Sequence, residues 1–252
     1  MEKQLNPSEF ALQSAKEIME QGVDTSLVPA ARDLHMRLGA HNYFLHFSWA
    51  GLPIIQSPQD IVQMQELVWS IRPDLIIETG VARGGSLMFY SSLLELNASC
   101  GGPQDAMVLG IDIDIRDYNR KKIETHPLHR RISMIEGSSV SSEVVDQVRA
   151  IADNKCRVLI CLDSNHTHDH VLAELNAYAP LTSVGSYCVV FDTIVDEFPA
   201  EFYSDRPWGP GNNPKTAVME YLRNHPEFEI DRQIDHKLIL TGAPEGYLKR
   251  VT

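Results

Sequence analysis

Short apolar runs alternate with amphipathic stretches from about residue 74 to the C-terminus. The apolar runs have the length and residue types of strands that are buried on both faces of a sheet. The pattern predicts seven strands, at residues 75–78, 108–113, 131–135, 158–162, 187–191, 228–230 and 238–241.

The stretches between these runs have helical periodicity and predict helices at residues 86–96, 141–151, 168–178 and 214–223. In the second helix, Val144, Val145, Val148 and Ile151 recur at helical spacing, so that one face can pack on a sheet. Strands that alternate with helices are typical of a doubly wound α/β fold. We therefore predict a Rossmann-like domain whose seven-stranded, mostly parallel sheet carries helices on both faces.

The first 70 residues have a different pattern, with helical segments that begin near Ser8, Leu27 and Ser57. The last of these opens Ser-Pro-Gln-Asp, which is typical of a helix N-terminus. We expect residues 1–70 to form a helical cap or an oligomerisation segment, and residues 71–252 to form the ligand-binding domain. A homo-oligomer is the expected assembly.

Charge and composition exclude several classes of function. A formal net charge of −12 argues against a nucleic acid partner, because proteins that bind nucleic acid concentrate Lys and Arg. No apolar stretch approaches the ~18 residues that are needed to cross a membrane, and the N-terminus has no signal-peptide pattern. The four cysteines lack C-x-x-C spacing and are expected to be reduced. We predict a cytoplasmic protein that acts on a small molecule.

A glycine-rich turn follows the first predicted strand, where residues 76–86 read IIETGVARGGS. Gly80, Ala82 and Gly84 permit a tight turn and a close approach of the backbone to a ligand, and Ser86 lies at the start of the next helix, whose free N–H groups can bind an anion. The turn therefore favours a nucleotide-like site. Packing alone could also require such a turn.

Two acidic residues strengthen this interpretation. Glu78 precedes the turn, and Asp112 lies near the end of the second predicted strand, where an acid commonly binds ribose hydroxyls. Asp114 is an alternative for that role. A dinucleotide dehydrogenase would more typically have a full G-x-G-x-x-G turn with its ribose acid about 20 residues further on.

The fourth and fifth predicted strands lead into carboxylates, Asp163 and Asp192. Carboxylates at adjacent strand ends can bind one hard cation and leave positions open for a substrate hydroxyl. A zinc site or an Fe(II) facial triad is less consistent with the nearby histidines, because neither His166 nor His168 begins an H-x-D/E motif. His168 and His170 are expected to cap or pack a helix start.

The acid before the glycine turn resembles the first motif of the class I methyltransferases that depend on S-adenosylmethionine (SAM). In them, the turn after the third strand meets the adenine, and that turn here contains Ser139, which could instead cap the following helix. More specifically, the chain from about Phe47 to Arg250 resembles the cephalosporin hydroxylase/rhamnosyl O-methyltransferase family. The resemblance lies in residues 77–86 (IETGVARGGS), 162–168 (LDSNHTH) and 206–214 (RPWGPGNNP).

The resemblance implies that residues 71–252 form a SAM-binding methyltransferase domain. It implies a divalent cation, Mg²⁺, held by Asp163 and Asp192, and methyl transfer to a sugar hydroxyl of a polysaccharide, glycolipid or secondary metabolite. His166 stands where related enzymes have a lysine or histidine base, and imidazole can accept a proton near neutral pH. The candidate cofactor contacts are Glu78, Gly80, Ala82, Gly84, Ser86, Asp112, Ser139 and Asp163.

The sequence departs from the family pattern directly before Asp192. Members of the family usually have an acid there, whereas this chain has Phe191, which cannot coordinate a cation. The site could recruit Asp196 or Glu197, use more water, bind the metal weakly or lack it. Residues 206–213 are expected to form a lid over the site, in which Trp208 could stack on a sugar or anchor the loop.

Two other classes of function are open to this sequence. The first is a SAM-binding protein without catalysis, which the loss of an acid at Phe191 would favour. The second is an NAD(P)-dependent oxidoreductase or epimerase, for which the predicted strand ends offer no recognisable hydride-transfer constellation.

Overall fold

The computed structural model describes residues 5–252. Helices occupy the N-terminal part of the described chain and alternate with strands in the rest, which ends in a strand. The helices are α1 (Pro7–Gly22), α2 (Leu27–Gly39), α3 (Pro58–Ile71), α4 (Gly85–Ser99), α5 (Asp117–Glu124), α6 (Ser142–Ala152), α7 (His168–Tyr178), α8 (Pro214–Leu222) and α9 (Arg232–Lys237).

The strands form a two-stranded hairpin and a seven-stranded sheet. They are β1 (Ser48–Trp49), β2 (Leu52–Pro53), β3 (Leu75–Thr79), β4 (Met107–Asp112), β5 (Ile132–Glu136), β6 (Val158–Leu162), β7 (Tyr187–Val190), β8 (Phe228–Ile230) and β9 (Tyr247–Arg250). The large sheet has the order β5-β4-β3-β6-β7-β9-β8, and β9 pairs antiparallel with both of its neighbours. The prediction of a mostly parallel, seven-stranded Rossmann-like sheet is confirmed.

The central strands are apolar because both of their faces are covered. In β3, Ile76 packs in an apolar cluster with α3 and α4, whereas Leu75 and Ile77 point to the opposite cluster, which contains side chains of α6, α7 and α8. This alternation follows from the two-residue repeat of a strand. The predicted face of α6 is also observed, since Val144, Val145 and Val148 are buried.

The strand order places the carboxyl ends of β3, β4, β6 and β7 along one edge of the sheet. The chain winds outward from β3 through β4 to β5, and then returns to β6, which lies on the other side of β3. Ligands in doubly wound sheets bind at such a reversal of strand order. The glycine turn follows β3 at this edge, β4 ends in Asp112, and Asp163 and Asp192 follow β6 and β7.

The seventh predicted strand, at residues 238–241, is wrong. The last strand of the sheet is instead β9, and residues 238–241 form a loop after α9. Asp231 begins α9 because its side chain accepts hydrogen bonds from the backbone N–H groups of Gln233 and Ile234. The loop is then held by the buried Asp60 carboxylate, which accepts a hydrogen bond from the hydroxyl of Thr241.

The N-terminal helices begin close to the predicted positions, and α1 lies against α9. The side-chain amide of Gln21 donates hydrogen bonds to the backbone carbonyl groups of His236 and Lys237. None of the helices in residues 5–252 is long and apolar enough to cross a membrane. The boundary at residue 70 and the cytoplasmic location stay predictions.

Candidate active site

The glycine turn after β3 is shaped by its contact with the end of β6. Gly80 has a φ of 92°, and a Cβ atom there would lie 2.0 Å from the backbone carbonyl oxygen of Asp163. No residue with a side chain fits at that position. Ala82 also has a left-handed φ, of 44°, and its carbonyl oxygen accepts a hydrogen bond of 2.7 Å from the Asn119 amide. The turn is therefore a fixed structure held by its neighbours.

Asp112 joins the end of β4 to this turn. Its Oδ2 atom accepts hydrogen bonds from the backbone N–H groups of Val81, at 2.8 Å, and Ala82, at 3.1 Å. The alternative acid, Asp114, is exposed and pairs with Arg116 at 3.5 Å. Of the two acids, Asp112 is the one that lies at the turn.

A cavity of about 370 Å³ opens beside the turn. This volume is in the range of small-molecule sites in proteins. Five of the predicted cofactor contacts line it together with residues from the ends of β4, β5 and β6. The lining residues are Gly80, Ala82, Ile111, Asp112, Ile113, Ser138, Ser139, Asp163, Ser164, Asn165 and His170.

Ser139 lies in the cavity wall and does not cap α6. The helix cap is Ser141, whose hydroxyl accepts a hydrogen bond from the N–H of Val144. The Ser139 hydroxyl instead lies 3.1 Å from Nε2 of His170. The capping alternative is thus excluded for Ser139.

Sequence reasoning missed His170 and Glu174 as residues of this site. His170 Nε2 also lies 3.2 Å from the Ser164 hydroxyl, which donates a hydrogen bond of 2.7 Å to the buried Glu174 carboxylate. The i, i+4 spacing of His170 and Glu174 on α7 was the signal that could have indicated a shared helix face. These side chains fix the cavity wall next to Ser139.

Glu78 lies buried beneath the turn. Its Oε2 accepts a hydrogen bond of 2.8 Å from the Ser86 hydroxyl, whereas Oε1 has no hydrogen-bond partner among the described residues. Burial raises the pKa of this carboxyl from its usual 4.5 to about 8, and the Ser86 hydrogen bond offsets part of the increase. A buried carboxyl oxygen without a partner is consistent with a place for a polar or cationic ligand.

This raised pKa predicts how stability depends on pH. A carboxyl whose pKa is higher in the folded state contributes stability that is present below about pH 4.5 and is lost as the pH rises through about 8. Between pH 6 and pH 8, we expect the cofactor-free protein to lose on the order of 2 kcal/mol through Glu78. Thermal unfolding of wild type and of Glu78→Gln at both pH values measures this loss, which should be smaller in the variant. Equal losses in both proteins would contradict the assignment.

Asp163 also belongs to a cluster with His166 and Asp192. One ligand-type atom from each side chain lies within 4.8 Å of the other two. His166 Nε2 is 3.0 Å from Asp192 Oδ2. Burial and the nearby Asp192 carboxylate raise the pKa of the Asp163 carboxyl well above its usual value.

This cluster fits a divalent cation. Two carboxylates and an imidazole are a donor set that Mg²⁺, Mn²⁺ and other divalent ions accept, and a cation would relieve the repulsion between the two acids. Asp192 also has a left-handed φ of 55°, which is uncommon outside glycine and often occurs at functional sites.

The two acids that could replace the missing family carboxylate, Asp196 and Glu197, both have other partners. Phe191 is buried in the core. Asp196 accepts hydrogen bonds from the N–H of Gly211 and the side-chain amide of Asn213. Glu197 forms ion pairs with Arg32 and Lys215. The third ligand-type group that the structure brings to the two acids is therefore His166.

The predicted lid at residues 206–213 reaches the same cluster. The Trp208 ring lies edge-to-face with the His166 ring, with 4.8 Å between the ring centroids. The Arg206 guanidinium lies over Trp208, 5.6 Å from its centroid. Trp208 thus forms part of the wall around His166.

Comparison with known proteins identifies the family of this chain. Residues 41–251 match the family described as Rhamnosyl O-methyltransferase/CmcI. A rhamnosyl O-methyltransferase of Mycobacterium leprae (strain TN) is 29% identical over 209 residues, which cover 81% of this chain and 82% of that protein. The enzyme of the same name from Mycobacterium tuberculosis (strain ATCC 25618 / H37Rv) is 27% identical over 208 residues, or 81% and 78% of the two chains.

Solved structures show the same fold. A CmcI structure described with Mg and SAM has a TM-score of 0.57 at 21% identity and covers 83% of this chain and 78% of its own. An O-methyltransferase from Bacillus cereus in complex with S-adenosylhomocysteine (SAH) has a TM-score of 0.50 at 15% identity, over 79% and 81% of the two chains. The resemblance found in the sequence is confirmed, and the chain belongs to the Rhamnosyl O-methyltransferase/CmcI family of SAM-dependent O-methyltransferases.

Proposed function

We propose that this chain transfers the methyl group of SAM to a hydroxyl group of a sugar, with a divalent cation, Mg²⁺, held by Asp163 and Asp192. The observation that carries the proposal is the position of Asp163, which both lines the cofactor cavity and belongs to the cation cluster. A methyl donor in the cavity and a hydroxyl at the cluster would meet at this residue. The family and its rhamnosyl O-methyltransferase members support a sugar as the acceptor.

Different residues of the cavity are proposed to bind the ribose, the adenine and the methionine end of SAM. Asp112 is placed to accept hydrogen bonds from ribose hydroxyls, because its oxygens already face the turn and can accept further donors. Ser139 lies further along the wall, where it can contact the adenine. Glu78 and the turn residues Gly80, Ala82, Gly84 and Ser86 border the remaining, methionine end. SAM supplies the electrophilic methyl group, and the cation acidifies the acceptor hydroxyl.

His166 is the proposed general base. Its Nε2 faces Asp192, and Trp208 packs against its ring, so the imidazole is held in one place beside the two carboxylates. A hydroxyl that entered the cluster could give its proton to the imidazole, and its oxygen would bond to the methyl carbon as the methyl–sulfur bond breaks and SAH leaves. The protein thus contributes alignment, a proton acceptor and exclusion of water.

An acceptor assay tests the proposed class of substrate. SAM with a labelled methyl group is incubated with the protein, Mg²⁺ and either 4-nitrophenyl rhamnoside or catechol. We expect label to be transferred to the rhamnoside and not to catechol. Transfer to catechol alone would contradict a sugar acceptor, and binding of SAH without transfer to any of a panel of glycosides would favour the non-catalytic alternative.

The role of Asp112 is tested by cofactor affinity. Asp112→Ala should weaken SAH binding by on the order of 1.5 to 3 kcal/mol, because hydrogen bonds from ribose to a charged acceptor are lost. Asp114→Ala, which removes an exposed acid two residues away, is the matched control and should bind SAH like wild type. Isothermal titration calorimetry measures both. A larger loss of SAH affinity in Asp114→Ala than in Asp112→Ala would show that Asp114, and not Asp112, contacts the ribose.

The N-terminal segment is proposed to take part in a homo-oligomer. No residue of α1 is buried, and large apolar side chains are exposed along α1, α2 and the turn between them. They are Phe10, Leu12, Met19, Val23, Leu27 and Leu34. Such a group of exposed apolar residues is typical of an interaction surface.

A further inference from the structure

A second cavity, of about 260 Å³, is lined by described residues that all differ from those of the cofactor cavity. Helix α2 contributes to one wall, α9 and the loop after it to another, and a short 3₁₀ helix, Thr193–Glu197, to a third. The volume lies just below the roughly 300–1,000 Å³ of sites for drug-sized molecules. The cavity therefore suits a ligand of the size of one sugar ring.

His35 of α2 is a buried imidazole in the wall of this cavity. The residue is 5% exposed, and its ring contacts the rings of Phe44 and Phe198, with centroid distances of 4.5 and 5.5 Å. Within residues 5–252, its ring nitrogens form no hydrogen bond. Burial lowers the pKa of His35 to about 4, and the Asp192 carboxylate offsets part of the decrease, so the neutral ring has one donor and one acceptor nitrogen. Buried polar groups of this kind usually bind a ligand or water.

Among the described residues, three positive and three negative side chains form a chain of ion pairs at the cavity. In order of contact they are Arg32, Glu197, Lys215, Glu245, Arg232 and Asp235, with distances of 2.7 to 3.1 Å. Because these charges cancel, the cavity favours neither an anion nor a cation. Guanidinium and carboxylate groups still have N–H groups and lone pairs to spare. Donors and acceptors side by side fit a neutral ligand with several hydroxyl groups, each of which both donates and accepts.

The cavity is joined to the candidate active site by the 3₁₀ helix Thr193–Glu197. This helix begins directly after Asp192 and ends at Glu197, which lines the cavity. At about 2 Å per residue, the two acids are roughly 10 Å apart, a distance that two linked sugar residues can span. Lys215 lies in the first turn of α8, directly after the lid, so the chain of ion pairs also holds the base of the lid.

We propose that this cavity binds a second sugar residue of the acceptor, next to the one that is methylated. The inference rests on the proposed methyl transfer to a sugar hydroxyl. His35, Arg32 and Glu245 are the groups that hydrogen-bond the hydroxyls of the second residue. The side chains of Arg32 and Arg232 are 53% and 50% exposed, so the cavity is open to solvent and a longer saccharide can extend out of it. The acceptor is then a saccharide of at least two residues, because an apolar group would leave these charged side chains desolvated.

Glycosides with one and with two sugar residues test this inference by binding alone. Methyl rhamnoside and the methyl rhamnobiosides of each linkage are titrated into the protein with SAH and Mg²⁺, and binding is followed by NMR. We expect at least one rhamnobioside to bind wild type about tenfold or more tightly than methyl rhamnoside. His35→Phe keeps a ring against Phe44 and Phe198 but removes both nitrogens. It should lower the affinity for that rhamnobioside roughly tenfold and leave the affinity for methyl rhamnoside unchanged.

A second variant and a control separate ligand binding from a structural role. Arg32→Gln should show the same selective loss, and it leaves Glu197 paired with Lys215. His41→Phe changes an exposed histidine that does not line the cavity and should bind both kinds of glycoside like wild type. Equal affinity of wild type for methyl rhamnoside and every rhamnobioside, or an equal loss for both kinds of glycoside in His35→Phe, would overturn the inference. Selective binding of a rhamnobioside without methyl transfer to it would still support the second sugar site and would contradict the proposed function instead.

Discussion

His166→Ala is expected to lower the rate of methyl transfer by roughly 10²- to 10⁴-fold while the affinity for SAH stays close to that of wild type. The reason is that a proton acceptor acts on the transition state, and His166 does not line the cofactor cavity. The loss should shrink at alkaline pH, where the acceptor hydroxyl ionises without a base. Single-turnover rates with labelled SAM, measured across pH, give the size of the effect.

Two neighbouring histidines provide controls with different expected results. His168 contacts Thr216 and Glu220 on α8, so His168→Ala should change neither the rate nor SAH affinity by much. His170 lies in the cavity wall beside Ser139, so His170→Ala should weaken SAH binding instead. Wild-type turnover in His166→Ala would refute its role as the base.

The same variant distinguishes a base from a cation ligand. His166 Nε2 lies 3.0 Å from Asp192 Oδ2, so the imidazole could instead be a ligand of the ion that Asp192 binds. Our proposal predicts that His166→Ala binds Mn²⁺, used as a probe for the site, within a few-fold of wild type. A loss of Mn²⁺ affinity parallel to the loss of rate would assign His166 to the cation.

Removing a carboxylate of the cation site should lower the rate of methyl transfer to an extent comparable with the loss of His166. Asp192→Asn is expected to lower methyl transfer by more than about 10²-fold, since the electrostatic stabilisation from the cation is lost. Asp192 does not line the cofactor cavity, so SAH affinity should be retained, whereas Asp163→Asn is expected to affect both properties. Exhaustive EDTA treatment of wild type should abolish turnover, and Mg²⁺ should restore it.

An exposed acid on α7 provides the matched control for this experiment. Asp169→Asn removes the same charge close to the site without touching the cluster, and its turnover should equal that of wild type. Full turnover of the wild-type protein after EDTA treatment, together with full turnover of Asp192→Asn, would show that the cation has no role in this chain. The cation site would then be absent, as the replacement of the family's acid by Phe191 allows.

The parts of the structure that follow from local sequence could be predicted. The strands around β3 are short, apolar and continuous, and the glycines at 80 and 84 mark the tight turn that follows β3. The region 238–241 is equally apolar, but its conformation depends on Asp231 and on Asp60, a residue of α3 that is far away in the sequence. Local pattern carries no signal for such a contact, which explains the misplaced last strand.

The same limit applies to the candidate site. Asp112, Asp163 and Asp192 could be predicted because acids at neighbouring strand ends must share one edge of the sheet. His170 was placed only at a helix start, since its partner Ser139 comes from another strand end.

The most direct test of the account is the cofactor that the cavity beside Gly80 accepts. Wild-type protein is titrated by calorimetry with SAH and, separately, with NADH. We predict that SAH binds with a stoichiometry of one per chain, that this binding is weakened in Asp112→Ala, and that NADH gives no binding heat. Binding of NADH with no response to SAH would contradict a SAM-dependent methyltransferase and favour the oxidoreductase alternative.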